Sequence, residues 1–428
     1  MRVVLRKLVE GRLRWALILW MFVMSAIAFL DRVNISIAGQ ALAREFKLSN
    51  IQLGWVFSAF VLGYALFQAP GGRLADRFGP RRVIALGVVW WGLFTTLTAL
   101  VPAGFALALP LLLAVRFVLG NGEAVVYPSS NRLVANWIPS VERGRANGLI
   151  FAGVGAGAGV TPPLITYILV HWGWRWAFYA SARVGLAAGA IWYLLARDTP
   201  QEHPWIGQRE LAHIEAGLPA AGQDADGRGA PPWKRIVSNK NVQVVTLTYF
   251  TFGYASYIFF TWFFTYLNKV RGLDLKASAI YSTIPFLAMA GCSPLGGWVA
   301  DVLVKRYGRR VGRCGVAAFG MGLAAVFLAL ATQVKSAQLA SVALAGGAGA
   351  LYLSQSAYWA VTADIAGPWA GFTSGLMNMG GQIGGAVTAS LTPWIAERFG
   401  WSASFLVAAA LAAAGSAAWL RVDPDARV

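Results

Sequence analysis

The sequence predicts an all-α polytopic membrane protein, with twelve transmembrane helices in two pseudo-symmetric six-helix halves. Three observations carry that prediction. The 428 residues are 57% hydrophobic and only 13% charged, with a mean hydropathy of +0.57; a soluble globular protein carries about a quarter charged residues. Apolar runs close to the ~20 residues needed to cross a bilayer recur along the chain. The second half of the chain also repeats the first.

The runs lie near 15–37, 51–72, 83–102, 105–128, 145–168 and 175–196, then near 241–268, 277–300, 312–332, 337–360, 371–395 and 401–420. The first lacks a small-residue cleavage site and is expected to be a retained span. Between the sixth and seventh lies a polar segment containing "GLPAAGQDADGRGAPP", whose Gly, Ala, Pro and Asp bury little. This sets an expected division into an N-terminal half, 1–196, a linker, 197–240, and a C-terminal half, 241–428.

Lysine and arginine set the orientation. Arg2, Arg6, Lys7, Arg12 and Arg14 precede span 1; Arg77, Arg81 and Arg82 follow span 2. Arg132, Arg143 and Arg145 follow span 4; Lys305, Arg306, Arg309, Arg310 and Arg313 follow span 8. If every span crosses, these fall on one side, so both termini and the linker are expected in the cytoplasm. The net charge of +18 is therefore explained by the membrane and not by nucleic acid. Nineteen Trp residues suit the membrane interfaces. Cys292 and Cys314 have no metal-ligand spacing and read as small apolar residues. His171, His203 and His213 are too few and scattered for a metal site.

The internal repeat has three matched pairs in the same order. "GGRLADRFGPRR" from Gly71 pairs with "GGWVADVLVKRYGRR" from Gly296. "ANGLIFAGVGAGAG" from Ala146 pairs with "TSGLMNMGGQIGGA" from Thr373, and "HWGWRWAFYASA" from His171 with "RFGWSASFLVAA" from Arg398. The offsets are 225 (71 to 296), 227 (146 to 373) and 227 (171 to 398). Parallel six-span repeats around a central site are a transporter architecture.

"GGRLADRFGPRR" resembles the loop signature of the major facilitator superfamily, placed after span 2 and repeated after span 8. "FLDRVNISIA", "YALFQAPGGRLADR", "GNGEAVVYP", "ERGRANGL" and "SGLMNMGGQIGG" resemble the anion:cation symporter branch of that superfamily. The resemblance covers essentially the whole chain. It implies the major facilitator fold and a proton-coupled symporter that imports a small organic anion, a sugar acid or an aromatic or short carboxylate, by alternating access. It also implies a monomer in the bacterial cytoplasmic (inner) membrane whose partners are the anion, protons and the lipid bilayer, with no cofactor. Sodium-coupled carriage, uniport and an anion-binding sensor are the alternatives. A membrane enzyme is disfavoured, because no nucleophile–base pair or metal cluster is evident. ATP drive is disfavoured too, because no Walker-type phosphate loop is present.

The ionisable residues inside spans are the candidate site. "RFVLGNGEAVVYP" places Arg116 and Glu123 in span 4. Seven residues make nearly two turns, so both lie within about 20° of one face, roughly 10 Å apart. A charge at the bilayer centre costs at least about 2.5–3.5 kcal/mol, so both must face the protein interior or a water-filled cavity. Tyr127 shares that face. "LDRVN" puts Asp31 beside Arg32 in span 1; adjacent helical residues diverge by about 100°, so Arg32 can face a cavity while Asp31 reaches a neighbouring helix. By motif match, the resemblance assigns anion binding to Arg32 and Arg116 and proton coupling to Asp31 and Glu123. An ion pair that only locks helices is the alternative for span 4, and a solvated interfacial pair is the alternative for span 1.

The resemblance places substrate contacts on Tyr64, Ser356, Trp359 and Asn378; helix–helix hydrogen bonding or aromatic packing is the alternative for each. Gln68, Gln382, Tyr254 and Tyr257 are further candidates for orientation. Asp76 and Arg77, with Asp301 and Arg306, are expected to act as gate residues. In span 5, "IFAGVGAGAGVTPP" has Phe151 and Val154 where sugar-acid carriers of the branch often have Asn and Gln. That departure favours a flatter or shorter carboxylate, although the Gly/Ala run can equally serve close packing. Arg183 in span 6 is explained only by snorkelling or an unrecognised partner.

Overall fold

A computed structural model describes residues 12–218, 232–263 and 266–427. Arg2, Arg6, Lys7 and the linker stretch 219–231 lie outside the described residues. The described chain is helical, and its long helices follow the apolar runs. The N-terminal half of the sequence contributes α1 (Leu13–Phe46), α2 (Asn50–Phe78), α3 (Pro80–Leu100), α4 (Ala108–Glu123) continued by α5 (Val126–Trp137), α6 (Arg143–Trp172) and α7 (Trp174–Leu195). Two short helices, α8 (Gln208–Gly217) and α9 (Trp233–Ser238), follow. The C-terminal half contributes α10 (Lys240–Thr261), α11 (Leu275–Arg309), α12 (Val316–Gln333), α13 (Ala337–Ala366), α14 (Ala370–Phe399) and α15 (Trp401–Trp419). Among the described residues, eight stretches are long and apolar enough to span a membrane. Two of them, Ile280–Gln333 and Ala337–Ala389, run through more than one helix.

The duplication is visible in the backbone. Gly79 closes the first loop signature at φ 85° and Gly308 closes the second at φ 84°. Gly173 and Gly400, at equivalent places in the third repeat pair, have φ 85° and 84°. Residues with a Cβ avoid this conformation, so each repeat turns its chain on glycine.

The helices form two compact units. One comprises Met1–Ser140, Ala156–Pro231 and Pro368–Gly375; the other comprises Val141–Gly155, Pro232–Gly367 and Leu376–Val428. Each unit thus includes a short segment from the opposite half of the sequence. In the first unit, a core of Ile35, Leu42, Leu53, Leu112, Trp174 and Phe178 joins α1, α2, α4 and α7. Large apolar side chains such as Leu86, Val170 and Leu194 are about 70% exposed, as lipid-facing residues of a spanning helix are.

Glycines set the closest helix approaches. A Cβ at Gly63 would overlap the Phe117 carbonyl, and one at Gly120 would overlap the Phe60 carbonyl, so α2 and α4 pack backbone to backbone. In the second unit, Gly253 and Gly384 let α10 and α14 approach in the same way. The Gly/Ala run of α6 is used for packing: Gly157 sits on the Ala26 backbone, and Gly155 sits 2.5 Å, as a built Cβ, from the Phe286 carbonyl.

Candidate functional site

In the first unit, α1 presents its two neighbouring charges in different directions. Asp31 turns to α3, where Oδ2 accepts hydrogen bonds from Trp91 Nε1 and Thr95 Oγ1, both at 3.0 Å. Arg32 turns to α2 and α4, where its Nε pairs with Glu123. Its guanidinium lies 4.0 Å from the Tyr64 ring centroid and 4.9 Å from that of Phe29. The divergence of neighbouring helix positions therefore separates the two charges, as expected.

Span 4 differs from the simplest reading. Glu123 pairs with Arg32 across helices and not with Arg116 along its own. Arg116 is 2% exposed and lies 4.8 Å from the Phe60 centroid. Among the described residues it has no hydrogen-bond or ion-pair partner within bonding distance, and its Nε is buried without one. The close α2–α4 approach at Gly63 and Gly120 sets Phe60 and Tyr64 against these cations. Two cations and two carboxylates balance, but hydrogen bonding is incomplete. Among the described residues, Asp31 Oδ1, Tyr64 OH, Arg116 Nε and Glu123 Oε2 are all buried without a hydrogen-bond partner. A buried polar atom left without any partner costs about 1–3 kcal/mol, so the cluster is a candidate site for water or a polar ligand. Tyr127 closes the cluster toward α1 through a 2.8 Å hydrogen bond with Ser25.

In the second unit, the other candidates are on α10, α13 and α14. Trp359 is buried at 1% exposure; its indole N–H donates to Tyr249 OH at 3.2 Å, and its ring lies 4.9 Å from Phe151. Gln355 Nε2 donates to the same Tyr249 oxygen at 2.9 Å. Ser356 is fully buried, and its hydroxyl has no partner among the described residues. Asn378 Oδ1 accepts from Gln382 Nε2 at 3.5 Å, and Gln382 Oε1 accepts from Tyr257 OH at 2.5 Å. Phe151, one of the departures from the sugar-acid pattern, thus forms an aromatic pair with a candidate substrate residue.

The two candidate gate aspartates occupy equivalent environments. Asp76, at the end of α2, accepts the N–H groups of Gly371 (2.9 Å) and Phe372 (2.8 Å) in the first turn of α14. Asp301, near the end of α11, accepts those of Gly144 (2.9 Å) and Arg145 (2.7 Å) in the first turn of α6. Each carboxylate thereby satisfies free amides at a helix N-terminus contributed by the opposite sequence half, where the helix dipole favours an anion. Arg77 and Arg306 are not part of these clamps. Both are exposed, and Arg77 lies against Phe78. Residue 77 is one position from Asp76 and so points about 100° away.

The cations at the clamps are Arg132, 3.8 Å from Asp76, and Arg313 and Arg145, 2.9 and 3.4 Å from Asp301. Arg313 also meets Asp364 at 3.4 Å, which in turn binds Arg143 at 2.6 Å. Arg143 and Arg313 are at most 1% exposed. In the sequence they look like ordinary orientation-setting loop charges. The available signal for their role was Asp364, a carboxylate closing an apolar span and needing a cation. Arg183 is exposed, with its guanidinium 5.7 Å from the Trp176 ring, two turns toward the start of α7. This is the snorkelling geometry.

The Major Facilitator Superfamily profile matches residues 21–389 and 302–428. The chain is 34% identical over 406 residues to a probable sulfoacetate transporter of Cupriavidus necator, covering 94% of this chain and 92% of that protein. It is 31% identical over 408 residues to a chloroplastic sodium-dependent phosphate transport protein of Arabidopsis thaliana, covering 95% and 78%. Its fold superposes on a proton:xylose symporter bound to 6-bromo-6-deoxy-D-glucose with a TM-score of 0.76 at 16% identity, over 95% of both chains.

Proposed function

The chain belongs to the major facilitator superfamily, whose members are transporters and not enzymes, and we propose that it imports a small organic anion in symport with a proton by alternating access. The observation that carries this reading is Arg116, a buried guanidinium whose Nε has no bonded partner among the described residues, beside a second arginine held by a carboxylate. A guanidinium offers a planar fork of donors matched to a carboxylate or sulfonate.

Arg116 receives the anion first. Arg32 then turns from Glu123 toward the same anion, with Tyr64 OH as a further contact. Glu123, buried and deprived of its cation, is costly in its ionised form and takes up a proton. Asp31, already hydrogen-bonded by Trp91 and Thr95, assists. Anion and proton therefore favour each other's binding, as linkage requires of a symporter. Asp76 and Asp301 hold one state by binding the first turns of α14 and α6, and the cycle breaks both clamps. The distribution of Lys and Arg supports a bacterial inner-membrane protein with both termini on the cytoplasmic side.

Uptake of labelled anions into proteoliposomes tests the reading, with sulfoacetate, an aromatic carboxylate and a sugar acid as probes. An inward proton gradient should drive accumulation of at least one. Accumulation driven by sodium alone would replace the proton with sodium. Failure of both gradients to accumulate any probe, with binding intact, would favour the sensor.

A further inference from the structure

The sequence entering the second helical half is "PWKRIVSNKNVQ" from Pro232. It carries three cations, Lys234, Arg235 and Lys240, and no carboxylate. All three are exposed, as is Trp233, at 55%. Helix α9 buries only Ile236 from its six residues, so its remaining side chains lie on the surface. Immediately beyond it, a groove of about 360 Å³ opens between α10 and α14. Its walls are Val237, Val242, Leu247, Phe250 and Leu376. Gly380 also lines it and lets α14 approach α10 closely there: a Cβ would stand 2.8 Å from Thr246 Cγ2 and the Thr246 carbonyl. Leu247 and Val237 are 62% and 41% exposed at its rim.

Among the described residues, Lys234, Arg235 and Lys240 form no ion pair, and Asp423 and Asp425 of the C-terminal segment are engaged elsewhere. Asn241 hydrogen-bonds the backbone of Asp423, at 3.0–3.1 Å. However, position 241 is about 200° around the helix from Gln243, which lines the groove. Asp425 is paired with Arg309 at 3.0 Å. The described residues therefore combine an apolar trough with an exposed tryptophan and three exposed cations beside it, on α9 and at the start of α10. These are the parts that an anionic phospholipid calls for.

We propose that this groove binds one anionic phospholipid, with an acyl chain along Val242, Leu247 and Phe250 and its phosphodiester at Lys234, Arg235 and Lys240. Trp233 lies at the level of the glycerol backbone, where amphipathic rings favour the interface. Chain burial holds the lipid in the groove, and the three cations select the headgroup. Near a membrane surface each lysine or arginine attracts an anionic lipid by an amount equal to about a five-fold preference. The site is independent of the anion carried through the protein.

The test uses the full-length protein in an uncharged detergent with bromine-labelled lipid chains. The Trp233 signal is taken as the difference between wild type and Trp233→Phe. Brominated phosphatidylglycerol should quench that signal at a lower mole fraction than brominated phosphatidylcholine. The triple variant K234Q/R235Q/K240Q should lose a preference on the order of a hundred-fold, as the product of about five-fold per charge. Because those side chains are exposed, its melting temperature without lipid should be unchanged. Leu376→Trp, which fills the trough and keeps every cation, should weaken quenching by both lipids. Glycerophosphoglycerol, the headgroup without chains, should not displace the lipid. Equal quenching by the two lipids, or an intact preference in the triple variant, would overturn the proposal. So would full competition by the free headgroup, which would make this a phosphodiester site, or unaltered quenching in Leu376→Trp.

Discussion

Arg116 is a fully charged side chain in an apolar helix without a bonded counter-ion among the described residues, so its substitution separates binding from folding. Arg116→Ala should weaken anion binding about 10- to 100-fold, the range of a lost charge-assisted contact, while the melting temperature changes little. Arg116→Lys should recover only part of this, because an ammonium lacks the planar fork. Calorimetric titration measures both. Near-normal affinity in Arg116→Ala would remove it from the site. Glu123 makes a different prediction, because it already has a partner. Glu123→Gln mimics the protonated carboxyl, so this variant should exchange labelled for unlabelled anion but fail to accumulate it under a pH gradient. If Glu123 serves only to neutralise Arg32, the substitution instead leaves a buried cation and destabilises the protein by about 3–5 kcal/mol. Exchange, pH-driven uptake and melting temperature on one preparation decide between these roles. The importance of both residues was legible in the sequence because charge in an apolar run has few innocent explanations. Their pairing was not, because Glu123 of α4 meets Arg32 of α1, a contact between helices far apart in sequence.

At the scale of elements, the apolar runs located the long helices, whereas their irregularities depend on local chemistry that hydropathy averages away. Span 4 is interrupted between Glu123 and Val126. Pro128 lacks the N–H that would bond the Ala124 carbonyl, which releases the helix one turn earlier. The polar linker also holds more structure than its composition suggested. Glu210 of α8 is 3% exposed and accepts the N–H groups of Leu13 (3.0 Å) and Arg14 (3.1 Å), with Arg14 Nη1 at 3.0 Å. It therefore caps α1 from nearly two hundred residues away. Glu210→Gln should cost about 1–2 kcal/mol and lower amide protection across Gln208–Gly217 in hydrogen exchange; unchanged protection would show that α8 is held by packing alone.

His203 adds a pH dependence to the same segment. Trp205 N–H donates to its Nδ1 at 3.1 Å, and its Nε2 lies 2.9 Å from the Leu195 carbonyl, an arrangement that needs the neutral ring. Burial pushes its pKa below the ordinary histidine value, and Arg197 adds to that against the opposing effects of the Leu195 carbonyl and Glu210. The unfolded segment thus takes a proton first as pH falls. Protection should be full above about pH 6.5 and decline below it. His203→Gln should flatten that decline.

At the scale of the whole molecule, the repeat is close to symmetric in sequence but unequal in charge. Both clamps place an aspartate on two amides of a helix N-terminus. Asp76 has Arg132 at 3.8 Å, whereas Asp301 belongs to a buried chain running through Arg313 and Asp364 to Arg143, with Arg145 at 3.4 Å. Equivalent substitutions should therefore have unequal effects. Asp76→Asn removes the charge from a helix terminus, an effect of about 0.3–2 kcal/mol. It should mainly loosen the clamp and raise the labelling rate, from the linker side, of a cysteine introduced beside Glu123. Asp301→Asn leaves Arg313 fully buried with only Asp364, which Arg143 also shares. Breaking a buried network in this way costs about 3–5 kcal/mol, so this variant should lose melting temperature more than it gains labelling. The double substitution Asp301→Asn with Arg313→Met removes both charges and should recover part of that stability while keeping the clamp weakened. Equal losses of stability in the two single variants, or unchanged labelling in Asp76→Asn, would show that the aspartates are interchangeable helix caps and not gates of different strength.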